Sequence, residues 1–273
     1  MSGDSKGTRF RRLHERDGVF VVPNPWDVGS ARVLAALGFE ALATTSAGHA
    51  YSLGLREGTV PRDEVLEHCR VISAATDLPV SADLEKGFGD SPEAVIETIE
   101  AAARTGLAGC SIEDHTGRRD DPIFEFGLAV ERIEAAVQAV RSLRHDFVLT
   151  ARCENLRWGH ADLNDTIRRL QAYERAGADV LYAPALQDLD SIRAVCTALA
   201  NPVNVLMGLP GATFSAAELA NVGVKRISVG SALARLSFAS LIDAAREIRQ
   251  LGTFRFASNA IGFSELEDYF PPA

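Results

Sequence analysis

The chain has 273 residues, 47% of them apolar and 24% charged, an ordinary globular balance and long enough to bury a large core without disulfide staples. Its net charge of −9, from 37 acidic and 28 basic residues, argues against nucleic acid as a partner, because phosphate binding wants a basic face. No apolar run reaches the roughly 18 residues of a membrane span, so no membrane partner is expected. The polar, Arg-rich stretch Met1–Gly18 does not read as a secretory signal. Cys69, Cys110, Cys153 and Cys196 stand far apart with no CxxC pair, which points to a reducing cytoplasm and away from structural zinc.

In chain order, short β-branched runs recur at Val19–Val22, Ala41–Thr44, Val80–Ala82, Gly109–Ile112, Val148–Ala151, Val180–Ala183, Val203–Leu206 and Arg226–Val229. Each is followed by a helical stretch long enough for one crossover, so the strands are expected to be parallel. Ser91-Pro92-Glu93 reads as a helix cap, and Thr59 is expected to cap the helix that runs to about Thr76. Gly38, Gly106, Gly177 and Gly223 read as left-handed helix ends. Eight such units predict one (β/α)8 TIM-type barrel domain over residues 1–273, with a doubly wound open sheet as the alternative. Against the open sheet, the first turn, Pro23-Asn24-Pro25-Trp26, lacks a GxGxxG fingerprint. The tail Gly252–Ala273 carries Phe254, Phe256, Phe263, Tyr269 and Phe270. The C-terminal helices are expected to pack or swap across a subunit interface in a homodimer or homotetramer. Packing of the tail on its own barrel is the alternative.

Barrel chemistry sits where strands end. The third strand exits into Asp83-Leu84-Glu85-Lys86, the fourth into Glu113-Asp114-His115, and the fifth into Arg152-Cys153-Glu154. Five carboxylates and one arginine thus share a rim. Crowded carboxylates raise one another's pKa unless a cation lies among them, and oxygen-only donors suit Mg²⁺, with Mn²⁺ as a substitute. The alternative is a set of ion pairs around Arg152, but one arginine cannot neutralise five acids. The second strand exits into Thr45-Ser46-Ala47-Gly48, a turn able to cradle a carboxylate or to serve as a plain loop. Gly208-Leu209-Pro210-Gly211 and Gly230-Ser231 read as tight turns or phosphate loops. His115 is a candidate acid or base. His14, His68, His145 and His160 are expected to be solvated, Trp26 to line a pocket or the core, and Cys153 to be a buried small residue.

Taken together, Pro23-Asn24-Pro25-Trp26-Asp27, the Thr45–Gly48 turn, Ser81-Ala82-Asp83-Leu84-Glu85-Lys86-Gly87-Phe88-Gly89, Ser111-Ile112-Glu113-Asp114 and Thr150-Ala151-Arg152 resemble the isocitrate lyase and phosphoenolpyruvate mutase superfamily. The resemblance continues more weakly to Val229-Gly230-Ser231. It implies a barrel that binds Mg²⁺ and a small oxo acid or dicarboxylate, and breaks or moves a C–C or P–C bond through a metal-bound enolate. On this resemblance Asp83 ligates the metal while Glu85, Glu113 and Glu57 hold its waters. Thr45, Ser46, Ala47 and Gly48 hold the substrate anion, Arg152 clamps a carboxylate or enolate oxygen, and Trp26 lines the pocket. Two departures stand out. The third-strand motif begins Ser81-Ala82-Asp83 where the family has Asp-Ala-Asp. The loop His115-Thr116-Gly117-Arg118-Arg119-Asp120-Asp121 has neither the cysteine of the lyase branch nor the lysine of the mutases. The proton donor is therefore expected to be His115, Glu113 or water. A lyase, decarboxylase or hydrolase is expected, and a binding barrel without turnover is the alternative. A Schiff-base aldolase is excluded, since Val180–Ala183 holds no lysine and Lys225 precedes the last strand.

Overall fold

The computed structural model describes residues 4–211 and 213–270. The chain runs α1 (Lys6–Glu15), β1 (Phe20–Val22), α2 (Val28–Ala36), β2 (Leu42–Ala43), α3 (Ser46–Ser52), α4 (Arg62–Ala75), β3 (Val80–Asp83), α5 (Pro92–Ala103), β4 (Gly109–Glu113) and α6 (Phe126–Ser142). It continues through β5 (Val148–Arg152), α7 (Leu163–Ala176), β6 (Val180–Tyr182), α8 (Leu189–Ala198), β7 (Val203–Leu206), α9 (Ala216–Asn221), β8 (Arg226–Ser228), α10 (Ala232–Leu251) and α11 (Phe263–Glu267).

All eight strands are parallel, in the order β1-β8-β7-β6-β5-β4-β3-β2. Pairing of β1 with β8 excludes a doubly wound sheet, and the amide of Ala43 donates to the carbonyl of Pro23 at 3.1 Å, stitching β2 to the chain leaving β1. The result is the (β/α)8 barrel expected from the strand spacing. The core divides in two. The larger part lies between strands and helices, where Leu42, Ile112, Leu149 and Leu181 meet Ile72, Ile99, Ile133, Leu170 and Ile192. A smaller plug at the strand starts joins Phe10 and Leu13 of α1 to Phe20, Val22, Val148 and Val180, sealing that end of the bore. Alternation of side chains along each strand sends Ser81, Asp83, Ser111, Arg152, Tyr182, Asn204, Arg226 and Ser228 inward, so the bore above the plug is polar.

The four glycine helix ends hold, with φ of +86° at Gly38, +84° at Gly106, +110° at Gly177 and +97° at Gly223. Thr59 does not cap α4: Pro61 takes that place, and the Thr59 hydroxyl donates to the carbonyl of Arg56 instead. His14 and His68 are not solvated. His14 packs edge-on against Phe10 and Phe20 in the plug, and His68 stacks on His49 with ring centres 3.7 Å apart. Burial pushes both imidazoles down to about 3. No helix among the described residues is long and apolar enough to cross a membrane.

Candidate active site

The register of β4, β5 and β6 places Glu113, Arg152 and Tyr182 side by side at one end of the bore. Arg152 is 12% exposed, and its guanidinium is gripped on several sides. Its Nε donates to Glu154, its Nη1 lies 3.2 Å from Glu113 and 3.6 Å from Asp83, and its carbon stands 5.2 Å from the centre of the Tyr182 ring. Burial opposes this charge, but Glu113, Glu154, Tyr182 and Asp83 overcome it and raise the guanidinium well above its usual range. Arg152 is thus a permanent cation of fixed orientation.

Asp83 ends β3 and is itself held. Its Oδ2 accepts from the Ser46 hydroxyl at 2.8 Å and from the Ser46 amide at 3.3 Å. The predicted turn after β2 is therefore the first turn of α3: Thr45 caps it, accepting from the Gly48 amide at 3.2 Å, and Ser46 faces Asp83. Glu85 follows with φ +50°, a left-handed conformation that strains any residue with a Cβ. Neighbours enforce it: the Glu85 amide donates to Asp83, and the Glu113 amide donates to the Glu85 carbonyl at 3.0 Å. From below, the buried Arg132 donates to the carbonyls of Lys86, Gly89 and Asp90 and ties the whole loop down.

A cavity of about 500 Å³ opens above these groups. Ser46, Glu57, Glu85, Glu113, His115, Arg152 and Glu154 line it, with Lys86, Arg119, Arg157 and Trp158 on its walls. Glu85 makes no ion pair among the described residues. Burial, then Asp83, Glu113 and Glu57, push its carboxyl up to about 8. Among the described residues no three His, Cys, Asp or Glu side chains already converge as a ligand set. The chemistry of the donors nonetheless fits a hard divalent cation. Asp83, Glu85, Glu113 and Glu154 face one arginine, and the unpaired Glu85 is the group such an ion would relieve.

Not every candidate residue arrives. Asp114 turns away from the rim and is consumed structurally, accepting from the Tyr173 hydroxyl at 2.7 Å and the Glu154 amide at 2.7 Å, with Arg169 at 3.4 Å. Trp26 is half-buried beside Gly48, and neither it nor Ala47 or Gly48 is among the residues lining the rim cavity. Thr45 lines only a smaller cavity deeper in the bore. His115 does arrive. Its Nδ1 lies 3.6 Å from Glu113, and its ring stacks on Trp158 at 4.0 Å, nearly parallel.

Sequence reasoning does not find Trp158 and Arg157, and it reads the buried Glu154 as one of the rim acids without giving it a role. Trp158 donates to Glu154 at 3.1 Å, and Arg157 spans Glu57 at 3.5 Å and Glu154 at 3.7 Å. The available signal was positional, since Trp158 follows Glu154 by four residues in the segment leaving β5. Cys153 is fully buried, the buried small residue expected, and burial holds its thiol well above the usual range.

The family model described as phosphoenolpyruvate phosphomutase matches residues 10–249. The 2-methylisocitrate lyase of Escherichia coli (strain K12) is 32% identical over 234 residues, spanning 82% of this chain and 78% of that protein. Among solved structures, a "putative lyase/mutase" from Burkholderia cenocepacia J2315 matches with TM-score 0.95 and 54% identity, over 97% of this chain and 95% of that one. Oxaloacetate acetylhydrolase, solved with its product oxalate, matches with TM-score 0.86 and 27% identity, over 97% and 93%.

Proposed function

We propose the following activity for this chain, which belongs to the phosphoenolpyruvate phosphomutase family: it breaks a carbon–carbon bond beside the carbonyl of a small oxo acid or dicarboxylate, by way of an enolate. Its relatives carry the names of a lyase and an acetylhydrolase, which favours turnover over a binding-only barrel. The observation that carries the reading is Arg152, a cation locked in place at the floor of a carboxylate-rimmed cavity.

Breaking a bond to the carbon next to a carbonyl leaves its electron pair on the carbonyl oxygen. Arg152 would meet that oxygen with N–H groups already oriented by Glu154 and Glu113, so no reorganisation is needed as charge develops. Asp83 would hold a divalent cation, with Glu85, Glu113 and Glu57 around it. When bound, that ion supplies fixed positive charge to the substrate's oxygens. We take Mg²⁺ as the resident ion, with Mn²⁺ as a substitute. Ser46, held against Asp83, orients that carboxylate and exposes its hydroxyl to the cavity. His115, stacked on Trp158 and 3.6 Å from Glu113, would return a proton to the enolate carbon.

The same reading extends to assembly. Of the 20 residues of α10 only Ala234 is buried, while Leu236, Leu241 and Leu251 are each more than 60% exposed and Phe263 beyond it is 92% exposed. We take this face to be covered by a second copy of the chain in a homodimer or homotetramer, and its four free thiols to place it in a reducing cytoplasm.

The test is turnover. Oxaloacetate, 2-methylisocitrate and related acids are incubated with the enzyme and Mg²⁺, then again after EDTA, with products read by NMR. Metal-dependent cleavage is expected. No product from any acid, with or without metal, would overturn the reading. Light scattering checks the assembly, and a monomer would remove that part alone.

A further inference from the structure

Below the rim the bore narrows to a cavity of about 60 Å³, whose deeper residues the proposed reaction does not use. Its floor holds a second arginine. Arg226 starts β8, is 5% exposed, and points into the bore, where its Nε donates to the Asn204 carbonyl oxygen at 2.9 Å and its Nη2 to the Thr150 hydroxyl at 2.9 Å. Its Nη1 lies 3.3 Å from Nε2 of His14, an imidazole that burial and Arg226 itself keep neutral. All three partners are uncharged. No carboxylate lies within 4 Å of Arg226 among the described residues, which sets it apart from every other arginine that faces the bore.

An ionised group taken out of water is costly unless a counter-charge accompanies it. A guanidinium carries five N–H donors, and Arg226 directs three at protein, leaving two. Beside Arg226 the cavity is lined by neutral residues, among them Ser81, Ser111 and Ser228 with their hydroxyls and the small apolar Val22 and Ala43. Asp83 and Arg152 line its upper end and face each other at 3.6 Å, so the negative charge there is already opposed. A lone cation surrounded by neutral donors is the composition of a monoanion site. The volume, about that of two waters in the liquid, admits a halide and no oxo acid.

We propose that this lower bore binds one small inorganic monoanion of the size of chloride, with Arg226 as its counter-ion and the serine hydroxyls as its remaining donors. The site lies below the rim, bounded above by Asp83 and Arg152, and none of its proposed donors is among the residues proposed to hold the metal.

Bromide tests it, because its anomalous scattering marks position without relying on activity. Crystals of the full chain soaked in sodium bromide are expected to show one anomalous peak within hydrogen-bond distance of the Arg226 guanidinium. In solution, the melting temperature is expected to rise with sodium chloride but not with sodium gluconate at equal ionic strength, since gluconate is too large for the cavity. Above the dissociation constant, each tenfold increase in chloride should raise it by about 3 °C. Asn204→Asp places a carboxylate where Arg226 already donates, and is expected to remove both the peak and the chloride dependence. Arg226→Gln should do the same, and if that variant does not fold, the wild-type crystals and Asn204→Asp still decide. No bromide at Arg226, bromide only beside Arg152, or a peak that persists in Asn204→Asp would each overturn the proposal. Turnover assays are read separately, so failure here leaves the rim chemistry standing.

Discussion

Arg152 and Arg226 lie on strands of the same barrel and point into the same bore, yet their surroundings are opposite. Arg152 meets three carboxylates, and its charge is reinforced. Arg226 meets an amide oxygen, a hydroxyl and a neutral imidazole, and burial pushes it down to about 10. The difference follows from position along the strands. At their ends, loops are free to deliver acids from several strands to one point, which makes a place where charge can be exchanged with a substrate. At their starts, α1 and the apolar plug close the bore, and no loop brings an acid within reach of Arg226 among the described residues. A cation at the rim serves chemistry, whereas a cation in the closed end needs an anion of its own.

The comparison breaks most visibly at the rim. Arg152→Ala is expected to lower kcat by a hundred- to a thousand-fold, about 3 to 4 kcal/mol, as for loss of a donor to a developing oxyanion. Arg152→Lys should not restore it, because the fork that Glu154 and Glu113 orient is lost. Steady-state kinetics separate this from passive binding, in which only KM would rise. Next in size, Asp83→Ala should abolish stabilisation by Mg²⁺. With the ion at 100 times its dissociation constant, that stabilisation is about 2.7 kcal/mol in the parent, read by thermal melts with and without EDTA. Persistence of the shift would move the metal away from Asp83.

At the closed end the expected effect is a pH dependence. His14 there, and His68 on α4 against His49 in the helix layer, are held down to about 3 in the folded chain against about 6.5 when unfolded. A lowered folded pKa means that their contribution is complete above about pH 6.5 and is lost as pH falls toward 3. The slope in that window is up to about 1.4 kcal/mol per pH unit for each histidine. His14→Gln should remove its share, measured by urea unfolding between pH 7 and pH 4; an unchanged slope would mean that His14 is not held neutral. The smallest effect is expected at Cys153→Ser, with kcat unchanged and stability lower by about 1 to 2 kcal/mol for burying a hydroxyl in an apolar site. A large loss of kcat at normal stability would make Cys153 the proton donor in place of His115.

Much of this molecule was legible in one dimension. Strand positions, helix ends at Gly38 and Gly177, and the acids at strand exits follow from local preferences: β-branched runs bury, glycine tolerates the left-handed region, and a strand's end points its last residue at the rim. Periodicity cannot say which way a side chain turns once the strand stops. Asp114 and Glu113 are adjacent, yet Glu113 faces the rim cavity while Asp114 bonds Tyr173 and Arg169, because only the packing of α7 against the barrel beside β5 offers Asp114 those partners. His14 sits on an Arg-rich segment that reads as solvated, and only the docking of α1 over the bore buries it. The Glu154–Trp158–His115 contacts likewise join side chains from two loops that sequence distance separates. Sequence by itself determined the barrel and the acidic character of its rim, because those depend on neighbours along the chain. The orientation of Arg152, the strain at Glu85 and the solitary charge of Arg226 were decided by the tertiary structure, because each depends on groups that neighbouring strands, or α1 docked over the bore, bring to it from distant parts of the chain.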